Sequence, residues 1–147
     1  TMKMNDPVPQ CYYRISMKAL ITNESGQILV VNERGKGWDL PGGGLDWGED
    51  TIAALHREIA EELGCKAEID KRPLMIVPAN NNDYNQHVLW IIHKVVVDLD
   101  LIHPTEDVQE IRFMSVTEFQ AYDTEFSEGL WKCPIDFWHE LQMSIAR

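Results

Sequence analysis

Four glutamates, Glu49, Glu58, Glu61 and Glu62, follow the consecutive glycines Gly42, Gly43 and Gly44 and end just before a further glycine, Gly64. The stretch reads GGGLDWGEDTIAALHREIAEELGC over residues 42–65 and holds six acidic side chains. Carboxylates crowded together repel one another, and partial burial makes the repulsion worse. A divalent cation removes the conflict, because oxygen ligands gathered on one rigid element suit Mg²⁺ or Mn²⁺. A glycine turn ahead of them lets backbone carbonyls come close to a metal and amides close to a phosphate. Three glutamates alone read as well as a charged surface stripe partnered by Arg57. Their spacing from the glycines favours metal-assisted chemistry on a phosphate.

The element that must carry these groups is a helix. Asp50 is placed to cap it, and Gly64 to stop it after about Leu63. On a wheel of about 100° per residue, Ile52, Leu55, Ile59 and Leu63 fall within about 80° of one another, a stripe to be buried on a sheet. Glu62, Glu58 and Glu61 occupy a neighbouring arc about 100° wide, with Glu62 next to the apolar boundary. Desolvation there is expected to raise the Glu62 pKa when no metal is bound.

The surrounding pattern supplies the sheet. Tyr13, Ile15, Met17, Ala19 and Ile21 alternate with Arg14, Ser16 and Lys18, which predicts a half-buried strand. Asn23–Gly26 is a turn, and with a second strand over Gln27–Glu33 the pair reads as a hairpin. Further strands are predicted over Glu68–Val77, His87–Leu99 and Val108–Met114, with a polar loop over Ala79–Gln86. Ser115 and Glu118 have the spacing of a capping box, and Pro134 suits the first turn of a closing helix to about Ile145. Strands first, one helix amid strands and one helix last give an α+β fold or an α/β/α sandwich, with a mixed sheet. Residues 1–147 read as a single domain without repeats or linkers.

Composition narrows the partners. The net charge is −11, which opposes nucleic acid polymers and anionic membranes unless a cation intervenes. Cys11, Cys65 and Cys133 form no CxxC pair, and the five histidines have no zinc-ligand spacing. That argues for a reducing, cytoplasmic setting and against a zinc site. No apolar run reaches membrane-spanning length, because His93 and Lys94 interrupt the best candidate.

Residues Gly43 to Cys65 resemble the signature of the Nudix hydrolases, GX5EX7REUXEEXGU, in which U is a bulky apolar residue. Gly43, Glu49, Arg57-Glu58-Ile59, Glu61-Glu62 and Gly64 fall on its fixed positions. Cys65 stands in the last apolar slot, a packing position. The lead-in Trp38-Asp39-Leu40-Pro41-Gly42 also looks like the family. The resemblance implies a Nudix-type α/β/α sandwich and hydrolysis of a diphosphate linked to another group, usually a nucleoside. It implies that Glu58, Glu61 and Glu62 bind Mg²⁺ or Mn²⁺ with help from the Gly43 carbonyl. It also implies that Glu49 and Arg57 form an ion pair orienting the helix. Within that frame Glu62 suits direct ligation, and Glu58 suits the general base or the water-positioning ligand. Glu110 is the alternative base.

Substrate contacts are expected from Arg34 and Lys36 before the glycine turn, from Arg14 on the first strand, and from Asn81 and Tyr84 in the polar loop. Trp47 in the turn is placed either to stack on a base or to cover the core. The expected partner is a small nucleotide-type molecule, and the protein a monomer or homodimer. No flanking signature for a coenzyme A, NADH, ADP-ribose or dinucleoside polyphosphate derivative stands out, and the short chain favours a nucleoside triphosphate. Two other functions compete with hydrolysis. A nucleotide sensor on the same fold is disfavoured because every box carboxylate is retained. An isoprenoid diphosphate isomerase lacks a supporting cysteine and glutamate arrangement.

Overall fold

In the computed structural model, described over residues 13–33, 37–81, 86–126 and 135–146, the first strand is buried on both faces. Met17, Ala19 and Ile21 face one way, and Ser16, Lys18 and Leu20 the other, and all six are nearly inaccessible. The half-buried strand expected from the alternation is therefore corrected. This strand, β1 (Arg14–Leu20), is central, pairing antiparallel with β4 (Gly42–Gly44) and parallel with β7 (Gln86–Val97). Helical layers cover it from both sides, and a strand covered twice has no solvent face.

The predicted hairpin is corrected as well. Asn23 does form the turn, its Oδ1 accepting the amides of Ser25 and Gln27 at 3.1 and 3.0 Å. Beyond one bridge, Thr22 to Ile28, the chain leaves the first sheet. Strand β2 (Ile28–Asn32) pairs with β3 (Trp38–Asp39) and with β8 (Glu110–Met114) in a separate antiparallel sheet. The strand expected over Glu68–Val77 is two, β5 (Ala67–Ile69) and β6 (Met75–Asn81), which lie antiparallel along one edge of β7. Pro73 and the bend at Lys71 and Arg72 separate them. Part of the expected polar loop, up to Asn81, belongs to β6.

Helix α1 (Thr51–Leu63) has the predicted ends. Asp50 accepts the Ala53 amide at 3.0 Å, and Gly64 closes the helix in the left-handed conformation. Its buried face is Ala54, Leu55, Ile59, Glu62 and Leu63. Ile52 lies at the margin, and a glutamate takes part in the seam. Helix α2 (Val116–Phe126) starts in a reciprocal capping box, with Glu118 N–H donating to Ser115 Oγ at 3.1 Å and Ser115 N–H to Glu118 Oε1 at 3.2 Å. Helix α3 (Ile135–Ala146) closes the described chain.

Two cores follow. Met17, Ala19, Ile21, Leu29 and Val31 pack with Leu55, Ile59 and Leu63 of α1. Leu20, Ile28, Val30, Trp90 and Ile92 pack with Phe119 of α2 and with Phe137 and Leu141 of α3. Each fully buried Leu or Ile contributes about 1.5–3 kcal/mol, so the two seams hold the helices on opposite faces. The result is the expected α/β/α sandwich. Among the described residues no helix is long and apolar enough to cross a membrane.

Candidate active site

Strand β4 consists of the three glycines of the turn, laid against β1 with Gly42 opposite Lys18, Gly43 opposite Met17 and Gly44 opposite Ser16. Gly42 has φ +133°, and a Cβ there would run into the Met17 carbonyl. No side chain is tolerated at that point. At Gly43 a Cβ would stand 2.6 Å from Glu58 Oε1 and 2.8 Å from Oε2. The glycine backbone and the Glu58 carboxylate therefore share one small space.

Glu62 is the buried member of the set, 3% exposed. Its Oε1 accepts the Gly42 amide at 3.0 Å, while Oε2 is buried and has no hydrogen-bond partner among the described residues. Burial pushes its pKa up to about 8, with Glu58 and Asp39 adding to the rise and the Lys18 charge and the Gly42 amide opposing it. The expected desolvation shift is present. Glu58 is raised too, by burial first, against the pull of Arg57. Glu61 is the exposed member, its side chain 45% accessible.

Arg57 organises the acidic arc. Its Nε and Nη2 bind Glu49 at 2.7 and 2.9 Å, the pair the resemblance implied. Its Nη1 reaches Glu58 at 3.1 Å and Glu61 at 3.2 Å. The Glu49 contact raises the Arg57 pKa, and the same bond lowers that of Glu49. The turn ahead of the helix is closed by Glu49 N–H donating to the Asp46 carbonyl at 3.0 Å and by Asp46 N–H donating to Glu49 Oε1 at 3.2 Å. A strap from residues 103–105 braces the other end of α1, the His103 amide donating to the Leu63 carbonyl at 3.1 Å and the Thr105 hydroxyl to the Glu61 carbonyl.

Among the described residues no three His, Cys, Asp or Glu side chains form a ready metal cage; a guanidinium spans Glu58 and Glu61 instead. The donor set still fits a hard divalent cation. It is all oxygen, it lies against a strand with no side chains, and one buried carboxylate oxygen is bare. A cation beside Glu62 would reverse the cost of its burial.

The remaining candidates divide. Arg14 extends from β1 so that its guanidinium lies over Gly44, next to the glycine turn. Glu110 sits on β8 in the other sheet, paired to Arg112 at 2.8 Å, and Arg112 in turn lies 4.7 Å from the Trp38 ring centroid. Asn81 ends β6 opposite Gln86. Arg34, Lys36 and Tyr84 lie outside the described residues. Trp47 is fully exposed at 103% and covers no core. Sequence reasoning missed Lys18 and Asp39, which form an ion pair of 2.8 Å beside Gly42, the lysine buried and the aspartate half-buried. The available signal was the Asp within Trp38–Gly42; Lys18 reads from the alternation as a solvent-facing residue.

The site and fold find their counterpart in one family. The model of the NUDIX domain matches residues 12–132, and the chain belongs to the Nudix family. The RNA pyrophosphohydrolase of Acidiphilium cryptum (strain JF-5) is 39% identical over 141 residues, covering 82% of this chain and 86% of that protein. The RNA pyrophosphohydrolase of Ruthia magnifica subsp. Calyptogena magnifica is 40% identical over 57 residues, 38% of this chain and 32% of that protein. In that relative and those from Shewanella piezotolerans and Shewanella denitrificans the chain spans about a third of their length. Among solved structures, the MutT protein from Methanosarcina mazei Go1 superposes with a TM-score of 0.71 at 22% identity, covering 95% of this chain and 100% of that one. An ADP-ribose pyrophosphatase from Streptococcus suis 89-1591 gives 0.59 at 20% identity, covering 92% and 93%. At such identities these structures speak for the fold.

Proposed function

We propose that this chain is a metal-dependent hydrolase that cleaves the diphosphate linkage of a nucleoside di- or triphosphate, or of a related nucleoside diphosphate derivative, by attack of water on phosphorus. The observation that carries the reading is the buried Oε2 of Glu62, unpartnered among the described residues, in the site that the Gly43 backbone and the Glu58 carboxylate share. Glu58, Glu61 and Glu62, with the Gly43 carbonyl, would hold Mg²⁺ or Mn²⁺. Bound there, the ion neutralises diphosphate oxygens and lowers the pKa of a water. Glu58, less buried than Glu62, takes the proton or positions the water. Glu110 is the alternative, once its carboxylate leaves Arg112. Arg14 supplies positive charge beside the glycine turn, where a phosphate would lie. Arg34 and Lys36 are further phosphate contacts, and Asn81 and Tyr84 base or sugar contacts. Arg57 and Glu49 orient the helix.

A second substrate is favoured by the relatives named RNA pyrophosphohydrolases, above all that of Acidiphilium cryptum: the 5′-phosphorylated end of an RNA. The net charge of −11 opposes a long polyanion, so free nucleotides come first. The experiment is a panel of nucleoside triphosphates, nucleoside diphosphate derivatives and 5′-triphosphorylated RNA with Mg²⁺, scored by the phosphate products released. Hydrolysis of a free nucleotide supports the reading. No release from any substrate, with either Mg²⁺ or Mn²⁺, overturns it.

A further inference from the structure

Lys18 is left unexplained by the proposed hydrolysis. It is 4% exposed. Its Nζ binds Asp39 Oδ2 at 2.8 Å, donates to the Leu40 carbonyl at 3.2 Å, and lies 5.6 Å from the Trp90 ring centroid. Taking an ammonium out of water, with its carboxylate partner half-buried, is costly, and apolar side chains of similar volume often fill such a space at no loss of stability. The pair therefore calls for a reason other than folding.

Its place beside the acidic site supplies one. Residues 39–42 are held to β1 at consecutive points. The Lys18 ammonium holds Asp39 and Leu40, the Ala19 amide holds the Pro41 carbonyl at 2.8 Å, and Gly42 stands in register with Lys18 itself. Glu62 hangs from the end of this segment through the Gly42 amide at 3.0 Å, with its other oxygen bare. Movement of residues 39–42 would move the Gly42 amide that aims the Glu62 carboxylate.

We propose that Lys18 and Asp39 are a positioning pair for the metal end of the site, fixing the segment whose Gly42 amide holds Glu62 with one oxygen free for a cation. The inference rests on the metal-dependent reading above. Lys18 touches neither substrate nor metal in this scheme and acts through Gly42 and Glu62.

The test uses K18M/D39L, which replaces the pair by apolar side chains, and D39N, which keeps Lys18 and the local volume. Mn²⁺ affinity is measured by calorimetry on the metal-free proteins, together with Tm, and kcat and KM at saturating Mn²⁺ with the best nucleotide of the panel. The expected result is a folded double variant that binds Mn²⁺ about tenfold more weakly, with kcat down about tenfold or more and nucleotide KM within about twofold of the parent. D39N is expected to shift the same two quantities by less. Parent-like Mn²⁺ affinity and kcat in the folded double variant overturn the proposal, as does a loss confined to nucleotide KM. If the double variant melts early, D39N decides by the same two quantities. A parent protein that binds no Mn²⁺ overturns the metal reading itself, and this inference with it.

Discussion

Arg57 grips Glu49 with two nitrogens at 2.7 and 2.9 Å, and its third reaches Glu58 and Glu61. One guanidinium thus ties the turn before α1 to the carboxylates on it. Arg57→Ala is expected to lower Tm and to cut kcat by about 10- to 100-fold, because the carboxylates lose both neutralising charge and alignment. Glu49→Gln should reproduce part of each effect. A double-mutant cycle in Tm and kcat checks this, and purely additive losses would contradict the coupling.

Removing the metal should abolish hydrolysis, and restoring it should raise Tm. Full activity after exhaustive chelation would show the site to be metal-free. The pH dependence has a definite sign. Glu62 is pushed up to about 8 in the folded protein by burial. As pH rises above the ordinary carboxylate value, the unfolded chain releases this proton and the folded one keeps it. Metal-free stability from this group therefore falls until about pH 8. Glu58 acts in the same direction and Glu49, whose pKa is lowered, in the opposite one at low pH. The gain in Tm on adding Mg²⁺ should be larger at pH 8 than at pH 6, and Glu62→Gln should flatten the metal-free slope.

Glu61 is exposed, and among the described residues its carboxylate pairs with Arg57. Glu61→Gln should leave Tm near the parent value and lower kcat by about 10² or more, as expected for a lost metal ligand. Turnover at the parent rate would remove Glu61 from the ligand set.

The general base is decided by Glu58→Gln and Glu110→Gln. With saturating metal, Glu58→Gln should lose the acidic limb of the pH–rate profile, while Glu110→Gln keeps it. The opposite pattern, with Glu58→Gln changing only metal affinity, transfers the role to Glu110.

Trp47 contributes no buried surface. Trp47→Ala should leave Tm unchanged within about a degree, since surface substitutions of this kind are close to neutral. A clear drop in Tm would mean that the indole packs on something in solution.

What the sequence determined by itself is the local machinery of the site. Asp50 and Gly64 set the ends of α1 because capping acts within one helical turn. The same short spacing put Glu62 at the apolar boundary and Arg57 among its acidic neighbours. Tertiary structure decided what depends on distant partners. The residues around Asn23 make a turn whether or not the flanking strands pair, so the split of β1 and β2 between two sheets was not legible there. Lys18 looked solvent-facing because alternation reports one buried face. Only the meeting of β1 with β7 and with the Asp39–Leu40 segment buried that lysine against Trp90 and Asp39. Pairing and burial between residues far apart in the chain are set by which surfaces meet, and that is a property of the whole fold.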